Sequence, residues 1–151
     1  MKLSIELVPK NLWRQSLYHT LSSKDWQKIR QRELERADQR CEVCGFQGRL
    51  ICHEIWQYND QKGVRRLKGF KIVCSLCNFV HHFGLARVLA SKGKLDLEAV
   101  IQHYMEVNGV SREMFDQDRA EALRLWKGRS LVAWKTDLGE YSQEGNGASL
   151  S

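Results

Sequence analysis

Residues 41–83 read CEVCGFQGRLICHEIWQYNDQKGVRRLKGFKIVCSLCNFVHHF. One C-x-x-C pair directly precedes residues 45–73 of this stretch, and a second pair directly follows them. A two-residue spacer lets both sulfurs of a pair reach one ion at about 2.3 Å, and two pairs complete a tetrahedron. Four thiolates close the coordination shell, so the sequence predicts a structural Zn²⁺ site. The predicted ligands are Cys41, Cys44, Cys74 and Cys77.

The composition of the 151 residues is that of a globular domain, with 42% hydrophobic and 28% charged residues. Five cysteines make a secreted disulfide scaffold a poor fit, because such scaffolds prefer even counts. No apolar run reaches the roughly 18 residues of a membrane helix, and the start MKLSIELVPKNLW lacks the features of a signal peptide. We therefore expect a cytoplasmic protein without membrane contact.

The sequence predicts a single domain over residues 1–138 with an α+β fold. A zinc-stapled ββα core occupies about 41–92, surrounded by helices at about 10–38 and about 96–128. Residues 139–151, GEYSQEGNGASLS, are rich in Gly and Ser and are predicted to be disordered.

Local patterns predict the elements outside the core. Leu3, Ile5 and Leu7 alternate with polar residues, which predicts a half-buried strand over 2–8. Helix starts are expected where Ser or Asp can cap the following amides, and a helix end where Asn is followed by Gly. The helix-start signals are Ser22, Asp96 and Ser111, and the helix-end signal is Asn108-Gly109.

Between and after the cysteine pairs, strand formers and turn residues predict a hairpin followed by a helix. Residues 49–58 and 70–73 are the two predicted strands. A helical pattern begins at Asn78 and continues to about Leu89, and residues 131–134 predict a short final strand.

A second group of polar side chains follows from this arrangement. His53 and Glu54 lie on the first strand of the hairpin, and Asn78 and His82 follow the last cysteine. Because the zinc site ties strand and helix together, these segments should face each other, with donors suited to a divalent cation beside a phosphate. Asn78 and His82 share one helix face, and His81 points about 100° away.

The fifth cysteine, Cys52, precedes His53 on the same predicted strand. It is either a small buried apolar residue or a competitor for metal. The sequence favours the first reading.

The chain resembles HNH endonucleases that have a four-cysteine zinc site and a ββα-metal core. The resemblance depends on the order of four features: C-x-x-C, a strand with an acid/His pair, a hairpin, and I-V-C-x-x-C-N-x-x-x-H. The resemblance covers about 41–83. In that family the first strand carries Asp-His-Ile, a metal-binding acid followed by the histidine base. The matching triplet here is His53-Glu54-Ile55. Either Glu54 stands in the base position, or the register slips by one and His53 is the base.

Two positions depart from the family pattern. The family's central Asn falls on Gly69, and Asn78 replaces its metal-binding His, whereas His82 fits. The resemblance implies Mg²⁺ or another divalent cation held by His53 and His82. The catalytic set it implies is His53, Glu54, Asn78 and His82.

A basic run lies in the predicted hairpin, beside Trp56 and Tyr58. Such a run either solubilises a loop or contacts phosphates, with the aromatic rings available for stacking. The net charge of +6 fits a polyanionic partner. The predicted nucleic-acid contacts are Lys62, Arg65, Arg66, Lys68 and Lys71.

The leading hypothesis is therefore an HNH-type metal-dependent endonuclease that hydrolyses DNA phosphodiester bonds. One alternative is a noncatalytic zinc module, derived from such nucleases, that binds nucleic acid or a protein complex. The departures at Gly69 and Asn78 favour that alternative, whereas His53, Glu54 and His82 favour the enzyme. A third reading is a four-cysteine zinc scaffold with only a protein partner.

Overall fold

The computed structural model describes residues 2–139, which form a mixed α+β structure. Residues 140–151 of the tail that was predicted to be disordered lie outside the described residues. None of the helices in 2–139 is long and apolar enough to cross a membrane. The helices are α1 (Leu17–Thr20), α2 (Ser23–Arg36), α3 (Ser75–His81), α4 (Phe83–Ser91), α5 (Leu97–Asn108) and α6 (Arg112–Arg129), and the strands are β1 (Leu50–Asn59), β2 (Val64–Cys74) and β3 (Lys135–Asp137).

The predicted hairpin is present as β1 and β2, which pair antiparallel from Leu50 opposite Cys74 to Asn59 opposite Val64. A bulge between Ile55 and Trp56 shifts the register. β2 ends at Cys74 and α3 begins at the next residue, so the second cysteine pair spans the junction of strand and helix.

The hairpin lies between helices. On one face Phe70 of β2 packs edge-on against Trp26 of α2, with ring centroids 6.0 Å apart. On the other face His53 of β1 stacks on His81 of α3. The buried core continues from Val80 of α3 to Tyr104 of α5, both fully buried. The side of the hairpin that faces α3 therefore holds the histidines.

The helix caps are confirmed. The side chains of Ser22, Asp96 and Ser111 accept hydrogen bonds from backbone amides three residues later, and Gly109 ends α5 in the left-handed conformation at φ +64°. The predicted continuous helix from Asn78 to Leu89 is instead broken at His82, where φ is −120° and ψ is 54°.

Two predicted strands are wrong. Residues 2–8 join no strand; Asn108 at the end of α5 bonds the backbone of this N-terminal segment instead. The last strand is not 131–134 but β3, at 135–137, which pairs in parallel with the start of β2.

Candidate metal centres

The four cysteines of the two C-x-x-C pairs lie close together, compatible with a structural zinc site. Their Sγ atoms are all within 4.8 Å of one another, and all four thiols are free. The Sγ atoms of Cys41 and Cys77 are 3.8 Å apart, and those of Cys44 and Cys74 are 3.7 Å apart. A tetrahedron with Zn–S bonds of about 2.3 Å has edges of about 3.8 Å, so these spacings suit one ion.

Backbone donors support the sulfurs. The amides of Cys44 and Cys77 point at the Sγ atoms of Cys41 and Cys74, at 3.4 Å and 3.5 Å. Gly45 adopts φ +81°, which lets the chain turn directly after the first pair. Each pair is therefore held in a tight loop that aims both sulfurs at one point.

His103 was not predicted from the sequence. Its Nε2 atom, on α5, lies 3.1 Å from the Cys77 Sγ. An imidazole at this distance can donate to a thiolate and orient it, as partners of metal ligands commonly do. No spacing motif joins His103 to the cysteines, because α3 and α5 meet only in the folded chain.

A second group of candidate ligands lies where β1, α3 and the N-terminal segment meet. It contains Glu6, His53 and His81, whose donor atoms are within 4.8 Å of one another. The Glu6 Oε2 atom is 2.5 Å from His81 Nδ1 and 3.6 Å from His53 Nε2. The two imidazole rings stack with centroids 4.4 Å apart and an angle of 13° between planes. We call these three residues the Glu-His-His cluster.

The electrostatics of the cluster favour a carboxylate. Burial would raise the pKa of Glu6, but hydrogen bonds to His53 and His81 hold it well below its usual value. The Nε2 atom of His81 is buried and has no hydrogen-bond partner among the described residues. His82 meets the His53 ring edge-on at 5.1 Å, and burial lowers the pKa of His82 to about 4.

The predicted catalytic set is only partly brought together. His53 belongs to the cluster and His82 lies at its edge. Asn78 is one turn earlier on α3, where its carbonyl accepts from the His82 amide at 2.8 Å. His81, which was predicted to point away from the site, stacks on His53 instead, because its face of α3 is the one that packs against β1.

Glu54 lies on the opposite face of the hairpin from His53. Its carboxylate accepts from the Tyr18 amide at 3.3 Å and from Trp56 Nε1 at 3.2 Å. Burial raises the pKa of Glu54. The acid of the Glu-His-His cluster is Glu6 instead, which the sequence reading did not consider because it lies far from the motif.

Cys52 is buried outside the four-cysteine cluster. Burial raises the pKa of its thiol to about 12, so the thiol is neutral at ordinary pH. This environment suits the reading of Cys52 as a small apolar residue.

The five cations of the hairpin divide by exposure. Arg65 is 3% exposed, stacks on Trp56 at 3.9 Å and donates to Thr136 and to the Gln15 carbonyl. Lys71 is half-buried and pairs with His53 across the two strands. The exposed cations are Lys62, Arg66 and Lys68.

The aromatic residues beside the basic run are already engaged. Arg65 covers Trp56, while Arg129 lies 4.6 Å from the Tyr58 ring and Trp134 meets that ring edge-on. The exposed cations of this surface are therefore the groups left to meet a phosphate, although Arg66 also lies 3.9 Å from the Asp137 carboxylate.

No family model matches the chain, and comparisons with curated proteins and with solved structures find no match either. The resemblance to HNH endonucleases therefore stays a prediction from the motif. Inference about function depends on the geometry of the two candidate centres and of the hairpin surface.

Proposed function

We propose that the protein is an HNH-type endonuclease that hydrolyses DNA phosphodiester bonds with the help of a divalent cation. The observation that carries the proposal is the position of His53. It lies on β1, where its ring stacks on that of His81 at the end of α3. The cysteine cluster, compatible with a structural zinc site, includes residues at the junction of β2 and α3.

Phosphodiester hydrolysis needs a group that accepts a proton from water and positive charge near the phosphate. A bound Mg²⁺ or other divalent ion would stabilise charge on the phosphate and on the leaving oxygen. His53 serves either as a ligand of that ion or as the proton acceptor. The ring of His53 faces Glu6 and is in edge-on contact with the ring of His82, which supports either role.

The hairpin supplies cations for a DNA backbone. Lys71 lies opposite His53 on the neighbouring strand, and Arg66 and Lys68 are exposed further along β2. Of these cations, Lys71 is the one paired directly with the strand position of His53. Contacts between such cations and phosphates give affinity without sequence preference.

A second candidate function is a noncatalytic zinc module that binds nucleic acid or a protein complex. Glu6 already bonds His81 at 2.5 Å, so the cluster can hold together as an ion pair without a metal. Asn78 also stands where the resemblance expects an imidazole ligand, and an amide is the weaker ligand for a transition metal.

Plasmid nicking by the zinc-loaded protein with Mg²⁺, Mn²⁺ or Ni²⁺, against EDTA, separates the two candidates. We expect cleavage with at least one ion, and a loss of about 10²–10⁴-fold or more in His53→Ala. His19→Ala is the matched control, because His19 is exposed and its Nδ1 atom lies 2.6 Å from the Oγ atom of the neighbouring Ser16. A folded parent that binds DNA but never nicks it supports the noncatalytic module. Cleavage unchanged in His53→Ala overturns the site.

A further inference from the structure

The loop after the first cysteine pair carries an exposed aromatic ring, that of Phe46, which is 51% exposed. Exposure alone does not mark a site, because single apolar side chains are common on protein surfaces. What distinguishes Phe46 is that its backbone is tied to the cysteines. Its carbonyl accepts from the Cys41 amide at 3.0 Å, and its amide donates to the Cys44 sulfur. A ring presented on such a fixed loop loses little conformational entropy when a ligand binds it.

The position of the ring is also set by Gly48, two residues later. A Cβ atom added at Gly48 would lie 2.6 Å from the Phe46 Cζ atom, which is far inside contact distance. The ring therefore occupies space that a side chain at position 48 would fill, while about half of its surface remains open. An aromatic ring that is held by its neighbours and half open offers the kind of surface on which a nucleic-acid base stacks.

Two exposed arginines, Arg40 and Arg49, bracket this loop in the chain. With its amide oxygen turned toward Arg40, Gln47 accepts from the guanidinium at 2.9 Å, which places that charge beside the residue next to the ring. Of the exposed acids here, Glu42 is already bonded by an arginine of α2, and the Asp38 carboxylate lies 3.8 Å from Arg40. The surroundings of the ring therefore suit a partner that combines a flat base with phosphates.

We infer that Phe46, with Arg40 and Arg49, forms a stacking site for an unpaired DNA base. Every base has a face that can stack on an aromatic ring, so the site has no sequence preference. Seven residues lead from Phe46 to His53 and span at most about 25 Å, so one DNA strand can reach both. The inference rests on the DNA binding of the proposed function and deepens it, since it names DNA with unpaired bases as the substrate class.

The test is fluorescence-anisotropy titration of the full-length, zinc-loaded protein into a labelled single-stranded DNA and into a duplex of the same sequence. Phe46→Ala should bind the single strand about tenfold or more weakly, with an unchanged slope of log K against log salt, because it removes a stack and no charge. Phe46→Tyr keeps the ring and should keep the affinity. Arg49→Ala should instead reduce the slope by about 0.7, the value for one phosphate contact on a single strand. Tyr18→Ala is the matched control, because Tyr18 is a 61% exposed aromatic residue of α1.

Phe46→Leu guards against loosening of the loop in Phe46→Ala, because it keeps an apolar side chain and should bind the single strand as weakly. Zinc content and circular dichroism confirm the fold of each variant. Single-strand binding that is absent, or equal in the parent and both variants, overturns the inference, and so does a loss of the same size on duplex DNA, which offers no unpaired base. Phe46-dependent binding without nicking supports the inference and refutes the proposed enzyme. Nicking by a protein whose single-strand affinity does not depend on Phe46 refutes the inference alone.

Discussion

His53 and Glu54 are adjacent in the chain and point to opposite faces of the hairpin, as consecutive residues of a strand do. His53 faces His81, whereas Glu54 bonds the Tyr18 amide and the Trp56 indole. The two side chains therefore do not meet at one ion. Of the two registers that the motif allows, the proposed function therefore uses the one that assigns the role of base or ligand to His53, the residue that lies beside His81 and His82.

Glu54→Gln should accordingly leave DNA nicking close to the parent rate. The change should still lower stability by about 1–3 kcal/mol, because the amide cannot accept from both buried donors that the carboxylate satisfies. Nicking assays and urea unfolding measure the two effects. Loss of nicking in a folded Glu54→Gln protein, comparable to the loss in His53→Ala, would return the base to Glu54.

Cys52 gives a prediction about reactivity. Burial raises the pKa of Cys52 to about 12, so its thiol stays protonated at pH 8 and iodoacetamide should not modify it in the folded protein. Mass spectrometry of the alkylated, digested protein checks this. Cys52→Ala should retain the full zinc content. A zinc deficit in that variant would show that Cys52 competes as a ligand.

At the scale of elements, the cysteine cluster joins the loop before β1 to the junction of β2 and α3. Glu42, between the first two cysteines, reinforces this connection: it accepts from the Ile72 amide at 2.7 Å and from Arg36 of α2 at 2.8 Å. The loop that follows the first cysteine pair is exposed from Cys44 to Arg49. A zinc ion bound by the four cysteines would therefore add a strong constraint on this junction.

Removing that ion should unfold the hairpin and α3 together. Cys74→Ser, or a strong chelator, should lower the melting temperature sharply, because a structural zinc site contributes folding free energy directly. Elemental analysis should give one zinc per chain before any other metal is added. The idea fails if the purified protein contains no zinc, or if Cys74→Ser melts like the parent.

The elements that the sequence predicted correctly depend on local signals. Caps at Ser22, Asp96 and Ser111, and the hairpin between cysteine pairs, follow from neighbouring residues. The alternation over 2–8 predicted a strand that is absent, because only Leu3 of this segment is buried, and residues 5–8 are all partly exposed. The position of Glu6 depends on contacts with Asn108, more than 100 residues later, which no spacing rule reports.

At the scale of the whole molecule, the excess charge of +6 matters only where it is exposed. The basic run of the hairpin looks uniform in sequence, but strand alternation and the bulge near Trp56 divide it. Arg65 turns inward, where it links β2 to β3 through Thr136 and to the N-terminal region through Gln15. Arg66 and Lys68 remain on the surface.

This division makes opposite predictions for neighbouring arginines. Replacing Arg66 and Lys68 by Ala should weaken binding to duplex DNA of any sequence. The slope of log K against log salt should fall by roughly one for each lost phosphate contact. Lys24→Ala with Lys28→Ala, exposed on α2, is the control of equal charge and should change the slope less.

Arg65→Ala should instead lower stability by about 2 kcal/mol or more, because it removes a buried ring contact and charged hydrogen bonds. Where the variant remains folded, it should keep the parent's salt slope, since the guanidinium is buried and already bonds Thr136 and Gln15. Urea unfolding and fluorescence-anisotropy titrations at several salt concentrations measure both quantities. The opposite result would be a lower slope of log K against log salt in Arg65→Ala and an unchanged slope in the double variant Arg66→Ala with Lys68→Ala. DNA would then contact Arg65 rather than the exposed cations, and its binding would have to break the hydrogen bonds of Arg65 to Thr136 and Gln15.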